Sequence, residues 1–193
     1  LVAGTGGAIN FGTFTTAGVY TVLAYVAGTS CNLSMTGSVS ISVNPLPTAY
    51  TVSGGGAYCS GGSGAHVYLS GSSVGVNYQL YIGGSTPVGG PVAGTGAMID
   101  FGLLTSAGTY MVVATNASTG CTNTMSGSAT ISVTAPPTAF TVTGGGSYCV
   151  GSTGLPVGLS GSQVGVAYQL YVGTTAVGSP LAGTGAALSF GIQ

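Results

Sequence analysis

Residues 76–82 read Val-Asn-Tyr-Gln-Leu-Tyr-Ile, an alternation that decides the fold class. Apolar side chains at every second position place Val76, Tyr78 and Leu80 on one face of a β-strand. The same period of two recurs elsewhere, bounded by Gly- and Ser-rich turns, near Tyr50 and Val52 and at 65–70, 97–101, 110–114 and 129–133. Apolar residues at helical spacing are absent. The sequence therefore predicts an all-β protein with six or seven strands per unit.

The chain also repeats itself with a period of 90 residues. Val-Ala-Gly-Thr-Gly at 2–6 recurs at 92–96, and a shortened period of 89 residues brings a close copy to 181–185. A 90-residue period suits one small β-sandwich per repeat. We interpret the chain as a window on a longer polypeptide with three parts. These are the C-terminal half of one repeat (1–46), a complete repeat (47–136) and the N-terminal part of the next (137–193).

The near absence of charge excludes several classes of function. The 193 residues contain no Lys or Arg, a single acid, Asp100, and a single histidine, His66. Nucleic-acid binding by charge neutralisation, carboxylate sites for Ca²⁺ or Mg²⁺ and paired catalytic carboxylates are all unavailable to such a chain. No apolar run approaches the ~18 residues that span a membrane. We expect no cofactor, no metal and no membrane span. A net charge of −1 leaves little repulsion between copies, so copies of itself are the expected partners.

His66, Asp100 and the many serines are formally the members of a hydrolase triad, but the repeat argues against catalysis. His66 aligns with Pro156, and Asp100 aligns with Asn10 and Ser189. No Gly-x-Ser-x-Gly turn follows a strand and opens a helix. We therefore predict no catalytic residues. A cross-strand pair between the two side chains and two separately solvated side chains both remain open.

Two tyrosines carry a recognisable pattern. Residues 106–110, Ser-Ala-Gly-Thr-Tyr, recur as Thr-Ala-Gly-Val-Tyr at 16–20. The pattern resembles the tyrosine corner of immunoglobulin-like domains and assigns that role to Tyr20 and Tyr110. The strand-F cysteine position of antibody domains is occupied by Val112, and the chain has no Trp. The expected domain is immunoglobulin-like without being of the antibody type.

Longer stretches at 142–149, 165–171 and 182–185 resemble the tandem immunoglobulin-like repeats of giant secreted and surface proteins of Bacteroidota and related bacteria. The resemblance implies export to the cell surface or beyond, and a role in adhesion, surface coats or extracellular fibres. Lack of charge favours repeats that pack against one another. We therefore expect a structural repeat of an extracellular fibre, sheath or surface layer. The alternatives are a stalk or binding repeat of a giant adhesin, with surface glycans as partner, a carbohydrase accessory domain, and an amyloid fibre.

Each repeat carries two cysteines. Cys59 precedes the second predicted strand and Cys121 follows the strand of the tyrosine corner, so we predict a disulfide between them. Cys31 and Cys149 would then have partners outside the window. A junction bond between Cys31 and Cys59 is an alternative. A zinc site is disfavoured because there is no Cys-x-x-Cys and no second histidine. Disulfides imply an oxidising, extracellular setting.

Further surface features carry weaker expectations. The Gly runs at 54–56 and 144–146 lack the Lys and helix of a phosphate loop and predict close backbone approach. Asn32 and Asn116 begin glycosylation sequons. The outward tyrosines Tyr68 and Tyr81 are expected either to line a sugar-binding surface or to pack across strands.

The two incomplete repeats are expected to need completion. The part at 137–193 lacks its last two strands, which residues 14–46 would supply. Uncharged edge strands invite pairing with another chain. We expect adjacent subunits, or continuation of the same chain, to complete each part by adding strands.

Overall fold

A computed structural model describes all residues from 1 to 193. The chain forms strands and no α-helix, which confirms the predicted all-β class. The structure contains no helix that could cross a lipid bilayer. Contacts divide the chain into two compact units, residues 1–56 with 63–132 and residues 57–62 with 133–193. Every hydrogen-bonded sheet lies within one of the three predicted segments.

The first segment contains four short strands that form two antiparallel pairs, β1 with β4 and β2 with β3. Their bounds are β1 Gly18–Tyr20, β2 Leu23–Tyr25, β3 Asn32–Ser34 and β4 Val39–Ile41. Residues 1–17 form no strand.

The complete repeat contains nine strands in two sheets. Their bounds are β5 Val52–Gly54, β6 Gly56–Cys59, β7 Ala65–Leu69, β8 Val76–Ile82, β9 Thr86–Ala93, β10 Ile99–Leu104, β11 Gly108–Asn116, β12 Thr122–Thr124 and β13 Ala129–Thr134. One sheet has the order β10-β7-β5. The other has the order β6-β13-β11-β8-β9, with β12 also paired to β11. Strands β6, β9 and β12 add to the six that the alternation predicts.

Alternation along the strands places the core between the two sheets, consistent with a β-sandwich. The buried apolar residues come from both sheets: Val52, Val67, Leu69 and Ile99 from one, and Val76, Tyr78, Leu80, Tyr110, Val112, Ala114, Ala129 and Ile131 from the other. These are the inward positions that the period of two predicts. Hydrogen bonding between β8 and β11 runs in register from Tyr110↔Ile82 to Asn116↔Val76.

Glycines let the first strand cross from one sheet to the other. Strand β5 pairs with β7, and β6 then joins the sheet of β13. Between them, Gly54 and Gly55 have φ of +95° and +77°. A Cβ on Gly54 would collide with the His66 carbonyl, and one on Gly55 with the Thr130 carbonyl. The Gly run therefore serves close backbone approach, as the sequence predicts.

The last segment contains five strands, in sheets of order β14-β15-β18 and β16-β17. Their bounds are β14 Val142–Gly144, β15 Pro156–Leu159, β16 Ala167–Val172, β17 Thr175–Ala182 and β18 Leu188–Ile192. Its register copies the complete repeat. Val142 pairs with Leu159 just as Val52 pairs with Leu69.

Candidate functional site

The two incomplete repeats expose apolar side chains at positions that the complete repeat buries. Val142 is 68% exposed, whereas its counterpart Val52 is 3% exposed. In the first segment Met35 is 42% exposed, against 3% for Met125. Val22 is likewise 38% exposed, against 0% for its counterpart Val112. We call these surfaces the open faces of the incomplete repeats. Because their sequence matches a buried core, each open face has the composition of an interior.

Two surface depressions lie in the incomplete repeats. One, of about 400 Å³, lies in the last segment and is lined by Leu181, Phe190 and Gln193 among others. The second, of about 310 Å³, lies in the first segment beside Tyr25 and Met35.

The strands of the two incomplete repeats also complement each other, because one segment contains the strands that the other lacks. Strand β16 is the counterpart of β8, which pairs with β11 along seven residues. In the last segment β16 pairs only with β17, so its other edge has no neighbour. Strands β1 and β2 are counterparts of β11, and they pair only with β4 and β3. Residues 14–46 thus hold the strands that 137–193 lacks.

The four cysteines are not bonded to one another, so the predicted bond between Cys59 and Cys121 is not formed. The Asn116 N–H donates to the Cys121 carbonyl, which places Cys121 at the Asn116 end of β11. Gly55 lies against Thr130, which pairs with Thr109 near the other end. Seven residues of strand separate these levels, about 23 Å at ~3.3 Å per residue.

The strand direction increases this separation. Thr51 bridges Ser126 in parallel, and Gly55 reaches Thr130, so β6 runs parallel to β13 and leads away from Cys121. A disulfide needs Cα atoms about 4.4–6.8 Å apart. Strand direction is not visible in the sequence alone, and the prediction treated two cysteines of one repeat as neighbours.

The alternative bond between Cys31 and Cys59 is not formed either. The Val26 N–H donates to the Cys31 carbonyl, eight residues along from Gly18, which pairs with Ile41. Cys31 therefore lies at the end of its segment opposite the chain that leads into the complete repeat.

Tyr20 and Tyr110 make equivalent hydrogen bonds, each to the backbone carbonyl four residues earlier. The Tyr110 hydroxyl donates to the Ser106 carbonyl at 2.8 Å, and the Tyr20 hydroxyl donates to the Thr16 carbonyl at 2.8 Å. Tyr110 is buried, so its phenol ring packs in the core while the hydroxyl closes the turn before β11.

His66 and Asp100 form the cross-strand pair that the sequence left open. The His66 Nδ1 lies 2.9 Å from the Asp100 carboxylate on the exposed side of β7 and β10. Hydrogen bonds from His66 and from the Gly102 N–H lower the pKa of Asp100. The His66 ring also stacks on Tyr68, with centroids 5.6 Å apart.

The position of Asp100 has a structural role that all three copies share. Asp100, Asn10 and Ser189 each accept a hydrogen bond from the backbone N–H two residues later, at 2.8, 2.8 and 3.2 Å. All three copies thus have a side-chain oxygen at this position that closes a turn. Only Asp100, in the complete repeat, also contacts a histidine.

The two sequon asparagines occupy different local structures. The Asn116 Oδ1 accepts hydrogen bonds from the N–H groups of Ser118 and Thr119 and closes the β11–β12 turn. Asn32 begins β3 and is exposed. The candidate glycosylation sites are therefore not equivalent positions of the repeat.

The outward tyrosines do not share a surface. Tyr68 lies on β7 of one sheet and Tyr81 on β8 of the other, and each alternates with buried neighbours. Because both point away from the common core, they lie on opposite faces. One sugar-binding surface made of the two is excluded. No three side chains among His, Cys, Asp and Glu come together as metal ligands would.

No protein-family model, no curated protein and no solved structure matches the chain. The resemblance to bacterial surface repeats therefore rests on the quoted sequence motifs.

Proposed function

We propose that the chain is a structural repeat segment of an extracellular bacterial fibre, sheath or surface layer, built from tandem immunoglobulin-like sandwiches. The observation that carries the proposal is the contrast between the open faces and their buried counterparts. Val142 and Val22 occupy core positions of the repeat, yet each is exposed until further repeat sequence covers it. Strand addition from a neighbouring copy, or from the continuing chain, supplies that cover.

The immunoglobulin-like assignment is supported by the strand order of the complete repeat. The order β10-β7-β5 corresponds to E-B-A of such domains, and β6-β13-β11-β8-β9 corresponds to A′-G-F-C-C′. A first strand that divides between the sheets and runs parallel to the last strand fits the same scheme. The tyrosine corner occupies the start of strand F, where these domains place it.

The neutral surface supports a packed assembly over a dispersed stalk. Soluble domains commonly keep a net charge of magnitude ~2–8, which opposes association. This chain has a net charge of −1 and a mean hydropathy of +0.61. Burial of the open faces would gain about 25 cal/mol per Å² of apolar surface, with no charge repulsion to overcome.

Sedimentation velocity of the chain across a concentration series tests the proposal. We expect end-to-end association through the open faces. Val22→Asp places a charge on one open face and should abolish it. Val74→Asp is the matched control, because Val74 is 78% exposed in a turn of the complete repeat and the charge change is identical. The control should associate like the unmodified chain.

A chain that sediments as a monomer at every concentration would overturn the completion of open faces by other copies. Equal association by both aspartate variants would show that the open faces are not the contact. Selective binding of the chain to a glycan array, without association, would favour the adhesin alternative.

A further inference from the structure

The four cysteines occupy two positions of the repeat. Cys59 and Cys149 are 90 residues apart and follow the first strand, and we call them the early cysteines. Cys31 and Cys121 are also 90 residues apart and follow the strand of the tyrosine corner, and we call them the late cysteines. Within one repeat the two positions lie toward opposite ends of the fold, so any partner must come from outside that repeat.

The late cysteine of the complete repeat lies beside the chain that enters from the preceding repeat. The Cys121 sulfur is 4.0 Å from the Asn44 carbonyl oxygen. Close by, the Asn123 side-chain amide donates to the Pro47 carbonyl at 2.7 Å. The β12 side of the repeat therefore lies against the junction itself, touching Asn44 at the end of the preceding segment and Pro47 at the start of the repeat.

The early cysteine lies beside the chain that leaves the same repeat. The N–H of Ser60, the residue after Cys59, donates to the Thr134 carbonyl at 2.8 Å. Bond lengths place the Cys59 Cα about 2.4 Å from that nitrogen, so it lies within ~5 Å of the Thr134 oxygen.

Asn44 and Thr134 are the same position of successive repeats, because they differ by 90 residues. By this repeat relation, the carbonyl oxygen at each junction lies close to the early cysteine of its own repeat and close to the late cysteine of the next repeat. Both cysteine positions are solvent-accessible here.

We propose that a disulfide joins the early cysteine of each repeat to the late cysteine of the following repeat. On this pairing, none of the four cysteines has its partner among residues 1–193. The partner of Cys59 belongs to the late position of the repeat that starts at 137, beyond residue 193. The partner of Cys121 belongs to the early position of the repeat that ends at 46, before residue 1. Each junction would carry one covalent bond besides the peptide chain.

The chemistry is a thiol–disulfide exchange with a small disulfide oxidant such as oxidised glutathione. One cysteine thiolate attacks the oxidant and releases one glutathione thiolate. The second cysteine thiolate then attacks the mixed disulfide and releases the other. The two cysteines lose two protons and two electrons in total, and one oxidant disulfide becomes two thiols. An oxidising compartment, which the proposed function requires, supplies such an oxidant.

The test keeps the whole chain and inserts one further copy of residues 47–136 after Pro136, which preserves the repeat register. The longer chain has six cysteines, the original four plus two in the inserted copy. Only one junction then has both partners, namely Cys59 of the original repeat and Cys121 of the inserted copy. After oxidation with glutathione at low protein concentration, thiol counting by maleimide mass shift should show two thiols lost in the monomer.

Matched variants identify the bond. Cys59→Ser in the original repeat, or Cys121→Ser in the inserted copy, should abolish the loss of thiols. Cys121→Ser in the original repeat, or Cys59→Ser in the inserted copy, should leave it unchanged. Loss of four thiols would establish bonds within repeats and overturn the proposal. Retention of all six thiols in a folded chain, judged by circular dichroism, would also overturn it.

This inference rests on the proposed function for the presence of further repeats and of an oxidising setting, yet the two can fail separately. A chain that associates through its open faces but forms no junction disulfide refutes the inference alone. A chain that forms the disulfide but stays monomeric at every concentration refutes the assembly alone.

Discussion

Leu80 and Leu170 occupy the same position of two repeats, and truncating each to alanine measures how far completion of the sandwich stabilises the fold. Leu80 is buried, faces Val112 on β11, and is 1% exposed. Removing three buried carbon groups costs roughly 2.4 kcal/mol at ~0.8 kcal/mol each. The remaining cavity raises this toward 3–4 kcal/mol, within the ~2–5 kcal/mol range for such truncations.

Leu170 has no counterpart of β11 beside it and is only partly buried. Fewer neighbours are lost on truncation, so Leu170→Ala should cost less than half as much in a dilute, unassembled chain. Hydrogen exchange read by mass spectrometry after pepsin digestion resolves the two regions within one molecule. At ~1.4 kcal/mol per tenfold change, Leu80→Ala should lower protection of β8 and β11 by a factor of roughly 100 to 1,000. Leu170→Ala should lower protection of β16 by less than about 10- to 30-fold.

Equal losses at the two positions would refute the reasoning, because they would mean that the last segment is already as well packed as the complete repeat. Repeating the measurement at concentrations where the chain associates adds a second criterion. If copies complete one another, the effect of Leu170→Ala should then rise toward that of Leu80→Ala.

Substitutions at three further contacts of the complete repeat, with one control, test those contacts singly. Tyr110→Phe removes the corner hydrogen bond and should destabilise the repeat by about 0.5–1.5 kcal/mol, measured by urea unfolding followed by circular dichroism. Gly94→Ala should cost about 1–3 kcal/mol, because its Cβ would collide with a neighbouring carbonyl, whereas Gly90→Ala meets open space and should change stability by less than about 0.5 kcal/mol. The pKa of Asp100 is lowered in the folded chain, so its stabilising effect is present above the ordinary aspartate pKa and is lost as the pH falls through the folded value. Unfolding measured across about pH 2–6, the range in which carboxyl groups titrate, should therefore show a loss of stability in acid that Asp100→Asn removes.

The strands that the sequence predicts are those with uninterrupted alternation, and the ones it misses have physical reasons. Strand β9 carries Pro87 and Pro91, which lack the N–H that a central strand needs. It forms because it lies at the edge of its sheet, where only one side needs pairing. The Gln79 side-chain amide donates to the Val88 and Gly89 carbonyls and holds the irregular register between β8 and β9. The sequence pattern of a single strand does not predict that contact.

The candidate site also has features that the sequence predicts and features that it does not. The repeat period identifies which residues are equivalent, so the correspondence of Tyr20 with Tyr110 and of Val142 with Val52 was predictable from sequence. The period does not reveal the end of the sandwich at which a residue lies. That depends on strand direction, and the parallel run of β6 beside β13 separates Cys59 from Cys121. Equivalence by sequence and adjacency in space are independent properties of a repeat.

Hydrogen bonds between neutral groups, and not ion pairs, pair the buried polar side chains of this chain. Ser72 is buried, donates to the Ala97 carbonyl and accepts from the Thr95 N–H, and Ser162 makes the same two kinds of contact in the next repeat. No buried side-chain nitrogen or oxygen lacks a partner. Salt screens interactions between exposed charges over about 8–10 Å, but it has little to act on where contacts are apolar or hydrogen-bonded. Contacts between copies that are built from the same kinds of interaction would therefore hold over a wide range of ionic strength.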